Sequence, residues 1–322
     1  MAATQATTDT AGGVLPAVPG APQSGGGVER EFTVKARSQR QQIVRRFFHN
    51  KIGMTGLVVL VLLLAFGFLG PLITGKHYDE LNRNAQSVPP GTAGYLLGSD
   101  AIGRDLMAGI MTGVQRSLFI VVLFVVIAFP LGLLVGALAG YYGRWVDSVL
   151  MRLVDLILTV PLLVVLIVVA SNFPGSRTPL GVGVILGLFG WLDLARIVRS
   201  QFLSLREKEY VEAAHAMGAS NRRIIFKHLI PNTLGSLIVW TTLAAATAIT
   251  LEAALTFLGF GVNGANQTSL GRLVSDGVQA ASTRPWLFYF PGLALLIIVL
   301  SINLIGDGIR DAFDPSNRRV RA

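Results

Sequence analysis

Six apolar segments, each about as long as a membrane-spanning helix, constrain the fold of this 322-residue chain more than any other feature. The hydrocarbon core of a bilayer is about 30 Å thick, and a helix needs about 20 apolar residues to cross it. Only 14% of the residues are charged, whereas about 25% are charged in a typical soluble domain. We therefore predict an all-α polytopic membrane protein with six transmembrane helices, at residues 53–74, 117–140, 148–170, 181–199, 232–256 and 287–306.

The segments outside the spans differ in composition. Residues 1–28 are rich in Ala, Gly, Thr, Pro and Gln without a period, so we expect a disordered N-terminal extension. Residues 29–51 are basic and place Phe47 and Phe48 beside the first span, which favours an interfacial helix. The six-helix domain is expected over residues 52–306, followed by a tail over 307–322.

The distribution of Lys and Arg predicts the orientation in the membrane. Most of the 27 basic residues lie in the N-terminal segment, in residues 141–152 and 196–230, and in the tail. Fewer lie in residues 75–116, 171–180 and 257–286. Because the richer side is normally cytoplasmic, both termini are expected in the cytoplasm. This asymmetry also explains the net charge of +9 without nucleic acid as a partner.

Several kinds of chemical site are excluded. The chain has no cysteine, so disulfides and thiol chemistry are absent, and its four histidines show no metal-ligand spacing: His49, His77, His215 and His228. Residues 70–77 have the spacing of a phosphate-binding loop as far as the lysine. They then offer His77 where Mg²⁺ needs a hydroxyl, and they follow a span instead of a strand, so we expect no ATP there.

A helix, a turn and a second helix are predicted within the polar stretch 206–231, between the fourth and fifth spans. Gly218 permits the positive φ that ends the first helix, and Ser220 can cap the second. Pro231 is expected to open the next span. One face of the first helix carries four residues at i, i+3, i+4 and i+7: Tyr210, Ala213, Ala214 and Met217.

The Glu-Ala-Ala sequence at 212–214, with Gly218 and Pro231 at their spacing, resembles the EAA signature of permease subunits in bacterial ABC importers. His228 departs from that pattern, which usually has an aliphatic residue there. The resemblance implies that the loop docks a short coupling helix on a cytoplasmic ATPase. The residues assigned to this coupling are Tyr210, Glu212, Ala213, Ala214, Met217, Gly218, Ala219, Ser220, Arg222, Ile225 and Pro231.

Four further segments, at 96–105, 113–118, 255–261 and 306–315, resemble the C-type permeases of dipeptide, oligopeptide and nickel importers. The resemblance implies the type I ABC importer permease (MetI-like) fold in a bacterial plasma membrane. It implies a second, different permease subunit, two ATP-binding domains that hold ATP and Mg, and an extracytoplasmic solute-binding protein. The expected substrates are di- or oligopeptides, with nickel chelates or haem as alternatives.

The predicted outer loop offers a second candidate site. Asp100 or Asp105 can cap a helix N-terminus, and Arg104 can pair with one of them. These three residues either contact the binding protein or only order their own loop, and the sequence leaves both readings open.

Polar residues within the spans are candidates for lining the pathway. Asp155 can pair with Arg152 at i+3, and Glu252 has no local partner. We favour structural pairing for these acids over a role in the pathway. Threonines in membrane helices often bond to their own backbone, which is the alternative role for most of the remaining candidates: Thr241, Thr242, Thr247, Thr250 and Asn303.

Small residues recur at every fourth position on two spans. The second span carries Gly132, Gly136 and Gly140, and the fourth carries Gly183 and Gly187. Such stripes let helix backbones approach closely. We favour packing within the chain over a contact between subunits.

Three other classes of membrane protein remain as alternatives. An ion-coupled secondary transporter normally has a repeated half and charges at the midplane. A channel needs a polar or charged ring in its pore. Neither feature is evident, and a structural scaffold would not need the coupling loop.

Overall fold

The computed structural model describes residues 39–173, 175–264 and 267–314. The predicted disordered extension, residues 29–38 of the basic segment and the tail beyond residue 314 lie outside these ranges. The described residues form helices and no strand. The helices are α1 Gln39–His49, α2 Lys51–Thr74, α3 Leu106–Tyr142, α4 Arg144–Leu158, α5 Leu162–Asn172, α6 Pro179–Arg206, α7 Glu209–Ala216, α8 Asn221–Ile224, α9 Ile230–Phe257, α10 Leu270–Val278 and α11 Trp286–Phe313.

In this described part, five helical stretches are long and apolar enough to cross a membrane. Four are α2, α3, α6 and α11, and the fifth runs without a break from Asn221 to Phe257. The pair α4 and α5 makes a sixth if it counts as one broken span. The predicted all-α polytopic fold is therefore confirmed.

The third predicted span, at 148–170, is not one continuous helix. Helices α4 and α5 meet at a bend of 80°, and Pro161 stands directly before α5. Proline lacks the backbone N–H that would continue α4, and it disfavours helical geometry at the residue before it. The apolar run therefore continues through the break although the helix does not.

Helices α3 and α6 pack backbone to backbone along their glycine stripes. A Cβ added to Gly136 would lie 2.4 Å from the carbonyl oxygen of Ala195 and 2.6 Å from Cβ of Val198. A Cβ added to Gly187 would lie 2.7 Å from Cβ of Ile127 on the facing helix. The predicted packing within the chain is confirmed, and the two stripes contribute to one interface.

Two ion pairs attach α4 to α6. Arg199 donates to both carboxylate oxygens of Asp147, and Arg196 donates to Asp155. The predicted pairing of Asp155 with Arg152 is wrong, because the neighbouring helix presents Arg196 to the same carboxylate. Structural pairing of Asp155, which we favoured over a role in the pathway, holds with this different partner.

The apolar core of the described residues consists of three clusters, and one of them supports the polar loop. It joins side chains of α3, α6 and α9 to residues of the 206–231 stretch. Its buried members are Ala137, Leu194, Val198, Phe202, Val211, Ala214, Ile224, Ile225, Leu229 and Leu237.

Candidate functional site

The turn between α7 and α8 has a Schellman geometry. Gly218 has φ +80°, and its N–H donates to the carbonyl of His215 at 2.9 Å. The N–H of Ala219 donates to the carbonyl of Ala214 at 3.0 Å. These two bonds satisfy carbonyls that the end of α7 would otherwise leave unpaired. The predicted positive φ at Gly218 is confirmed.

The second helix of the loop is continuous with the next span. Ser220 caps α8 by accepting a hydrogen bond from the N–H of Arg223 at 3.4 Å, as predicted. Helix α8 then passes into a π-helical turn at Ile225–Leu229, which leads directly into α9. Pro231 stands in the first turn of α9. The ring of a proline clashes with the carbonyl four residues earlier in a regular helix, and the widened turn lies where that clash would fall.

Most of the side chains that pack the loop against the rest of the protein do not belong to the predicted face of α7. Val211 is 1% exposed and Ala214 is also buried, one helical turn apart on α7. Ile224 and Ile225 are buried in the same cluster. Of the predicted face, only Ala214 points inward. Val211 and Ile224 were missed, although the i, i+3 spacing of Val211 and Ala214 was a signal for them.

The outward side carries large apolar side chains among polar ones. Met217 is 82% exposed, Phe226 is 63% exposed and Tyr210 is 41% exposed. The guanidinium carbon of Arg222 lies 6.0 Å from the ring centroid of Phe226. Sequence reasoning missed Phe226. We call this surface the exposed loop face, and its residues are Tyr210, Glu212, Ala213, Met217, Arg222 and Phe226.

Two polar tethers join the loop to the end of α3. The hydroxyl of Tyr141 donates to Oδ1 of Asn221 at 2.9 Å and lies 3.4 Å from Nε2 of His215. From the end of α6, Nη1 of Arg206 donates to the carbonyl of Gly140 at 3.3 Å. The loop is thus fixed by polar bonds as well as by its buried side chains.

The second candidate site lies in the long connection between α2 and α3. Asp105 caps α3, accepting from the N–H of Met107 at 2.8 Å, and pairs with Nζ of Lys76 at 2.7 Å. The carboxylate of Asp105 is buried. Asp105 therefore stabilises the connection between α2 and α3 through buried interactions. Its predicted role as a helix cap is confirmed.

Asp100 and Arg104 lie at a cavity instead. The Arg104 guanidinium stacks on the ring of Tyr78, 4.8 Å from its centroid, and donates to its hydroxyl at 3.2 Å. Burial raises the pKa of the Asp100 carboxyl above its ordinary value, against backbone hydrogen bonds from Arg104 and Ile102 that lower it. Both residues line a cavity of about 480 Å³, and Arg272 and Arg284 complete its basic lining.

The polar candidates on α9 are largely satisfied within the chain. All four threonines donate to a backbone carbonyl of the preceding turn: Thr241, Thr242, Thr247 and Thr250. Glu252 is buried and accepts from the hydroxyl of Ser269 at 2.6 Å and from that of Thr256 at 3.0 Å. The expectation that Glu252 lacks a local partner is therefore wrong, since Thr256 lies one turn away. Asn303 on α11 is half-buried.

Within the described ranges, no three His, Asp or Glu side chains come together as a metal-binding group would require. The exposed loop face presents the large apolar side chains of Tyr210, Met217 and Phe226 outward. Exposed apolar patches of this kind mark protein or membrane contacts.

Comparison with known proteins gives similarities over most of the chain. Residues 132–319 match the family model described as the binding-protein-dependent transport system inner membrane component. Residues 38–90 match the model described as the N-terminal TM domain of oligopeptide transport permease C.

Two curated relatives and one solved structure illustrate these similarities. The oligopeptide transport system permease protein OppC of Mycobacterium tuberculosis is 41% identical over 88% of this chain and 97% of its own length. The dipeptide transport system permease protein DppC of Alkalihalophilus pseudofirmus is 36% identical over 89% of this chain and 92% of its own length. A chain from inward-facing conformations of the MetNI methionine ABC transporter is 22% identical, with a TM-score of 0.48, and covers 65% of this chain and 96% of that one.

Proposed function

Since this chain belongs to the family of binding-protein-dependent transport system inner membrane components, we propose that it is one permease subunit of an ATP-driven peptide importer. It forms half of a translocation pathway for di- or oligopeptides. The relatives that carry peptide names support this substrate class over nickel chelates or haem. Membership of the family also argues against an ion-coupled secondary transporter.

The observation that carries the proposal is the exposed loop face. It presents Met217 and Phe226 outward, while Val211 and Ile224 anchor the same loop in the core. A loop that exposes apolar side chains and is anchored by buried ones is suited to docking on a soluble partner. We assign that partner as a cytoplasmic ATPase, with ATP and Mg bound on the partner and not on this chain.

The role of this chain is then to convert movement of the ATPase into a change of the membrane helices. Driving an equilibrium between inward-open and outward-open forms from 1:99 to 99:1 takes about 5.5 kcal/mol of differential binding. The loop can transmit this free-energy difference to the membrane helices only if the loop itself does not deform. The Schellman turn at Gly218 and the Tyr141–Asn221 hydrogen bond both restrict its movement.

The remaining partners follow from the same family. A second, different permease subunit supplies the other half of the pathway, lined in this chain by polar groups of α9 and α11 such as Thr247 and Asn303. An extracytoplasmic solute-binding protein delivers the substrate, and the cavity beside Asp100 and Arg104 is its proposed contact. This arrangement places both termini and the 206–231 loop in the cytoplasm.

Cysteine cross-linking tests the docking surface, because the chain contains no cysteine of its own. We expect a Met217→Cys variant, co-expressed with its ATPase subunits, to cross-link to them in membranes. The matched control is Val211→Cys on the buried side of the same helix, which should not react. If Met217→Cys fails to cross-link to the ATPase while the complex remains active, or if Val211→Cys cross-links equally well, the proposed docking surface is wrong.

Labelling of intact cells tests the orientation separately. A reagent that cannot cross the bilayer should modify Met217→Cys only after the membrane is opened. Labelling from outside intact cells would place the loop on the wrong side for an ATPase and would contradict the whole proposal. Mass spectrometry of ligand retained by the co-purified binding protein would identify the peptide.

A further inference from the structure

Helix α1 has two faces of different character. One faces the body of the protein: the ring of Phe47 lies against Gly53 and Gly308, and Nδ2 of Asn50 donates to Oδ2 of Asp311 at 2.9 Å. This face docks α1 on α11 near the C-terminal end of α1. The position of α1 is therefore set by the fold.

The other face of α1 carries apolar side chains that nothing in the described part of the chain covers. Val44 is 55% exposed and Phe48 is 56% exposed, one helical turn apart. Ile52, at the start of α2, is also apolar and exposed. Exposed apolar side chains are therefore present on α1 and at the start of the first membrane span.

Cationic side chains accompany this apolar face. Arg45 and Lys51 are both exposed near it. On the docked side, Asp311 of α11 bonds to Asn50, and Nη1 of Arg46 donates to the backbone carbonyl of Asp314 at the end of α11. The exposed face therefore combines apolar and positively charged groups.

We propose that this face of α1, with Val44 and Phe48 in the acyl boundary and Arg45 and Lys51 at the phosphates, is a binding surface for anionic lipid. A helix of this type lies in the membrane interface and buries its apolar side among the acyl chains. Helix α2 begins at Lys51, so α1 is held at the depth of the headgroups by the covalent chain. The proposal does not depend on the transported substrate or on the ATPase.

Lipid quenching in nanodiscs tests the proposal with the full-length protein. A Val44→Cys variant, labelled with a small apolar fluorophore, carries its probe on this face alone because no other cysteine is present. The nanodiscs contain equal amounts of phosphatidylglycerol and phosphatidylcholine, and the acyl chains of one lipid or the other carry bromine. Bromine on the acyl chain reports lipid and is not mimicked by free phosphate.

We expect quenching from both lipids, with phosphatidylglycerol enriched about fivefold near the probe for each basic residue that contacts a headgroup. Adding Arg45→Glu and Lys51→Glu should make the two lipids quench equally, and the milder Arg45→Gln with Lys51→Gln should give an intermediate ratio. The control pair, Arg83→Glu with Arg177→Glu, changes the net charge equally in the loop before α3 and the loop before α6. It should leave the ratio unchanged.

Three results would overturn the proposal. No quenching by either lipid would mean that protein or water covers this face. Equal quenching by the two lipids in the Val44→Cys protein that retains Arg45 and Lys51 would mean that the surface does not select anionic lipid. An equal loss of preference in the control pair would assign the effect to total charge and not to α1.

Discussion

Replacing Gly218 by valine tests whether coupling depends on the positive φ of the turn between α7 and α8. Gly218 has φ +80°, and a Cβ added there would meet no atom within 4 Å. The cost of Gly218→Val is therefore backbone strain without a clash. A left-handed conformation costs a β-branched residue about 1–3 kcal/mol. The chain can relieve that strain by opening the turn, which breaks the hydrogen bonds from Gly218 and Ala219 to the end of α7.

The expected loss of coupling follows from this magnitude. About 5.5 kcal/mol is needed to drive the transport equilibrium from one side to the other. If 1–3 kcal/mol of it is absorbed in an opened turn, uptake per ATP hydrolysed should fall about 5- to 150-fold. Membrane insertion should not change, because Val211 and Ile224 still anchor the loop. The measurement is peptide uptake and ATP hydrolysis by the complete complex in liposomes.

Gly218→Asn is the matched control. It adds a side chain into the same open space, but asparagine adopts positive φ more readily than other residues that have a side chain. It should retain most of the uptake per ATP. If the Val and Asn variants transport equally well, the positive φ does not matter for coupling. If the Val variant fails to reach the membrane, the assumption that the strain stays local is wrong.

Three further predictions concern the loop and its support. Glu212→Lys should weaken co-purification of the ATPase, because the partner groove is expected to offer basic or donor groups, and unchanged recovery would count against that. Phe226→Ala should lower ATPase affinity without changing the melting temperature, since its side chain is largely exposed. The paired control Ile224→Ala should cost about 2–5 kcal/mol of stability, and equal melting of the two variants would refute this division into faces. Gly136→Leu should prevent α3 and α6 from packing, because even a Cβ there lies 2.4 Å from the Ala195 carbonyl; stable, active protein would contradict that interface.

The spans were predictable because membrane insertion depends on length and apolarity, which a single sequence displays. The bend between α4 and α5 was not predicted, although Pro161 stands at it. A proline within an apolar run sometimes only kinks a helix: α3 continues through Pro130. Whether the helix kinks or breaks depends on the neighbouring helices, which the sequence of one segment does not show.

The site was predictable where its geometry is local. The positive φ at Gly218 and the cap at Ser220 depend on residues within one turn, and both were predicted correctly. The direction in which α7 faces depends on the apolar cluster of α3, α6 and α9. The shared face of Tyr210, Ala213, Ala214 and Met217 therefore did not show which side of α7 packs against the protein: Ala214 is buried, and Tyr210 and Met217 are exposed. The partner of Asp155 was missed for the same reason, since Arg196 lies on another helix.

The way the loop is held determines where a force on it is transmitted. Helix α8 continues into α9 through the π-helical turn, so a displacement of the exposed loop face reaches α9 along a continuous backbone. Tyr141 and Arg206 tie the same loop to the end of α3. Because the glycine stripes lock α3 to α6, these two helices resist moving apart. A displacement of Met217 or Phe226 should therefore move α9 and the α3–α6 pair together. They could move separately only if the π-helical turn, the Tyr141 hydrogen bond or the Arg206 hydrogen bond gave way.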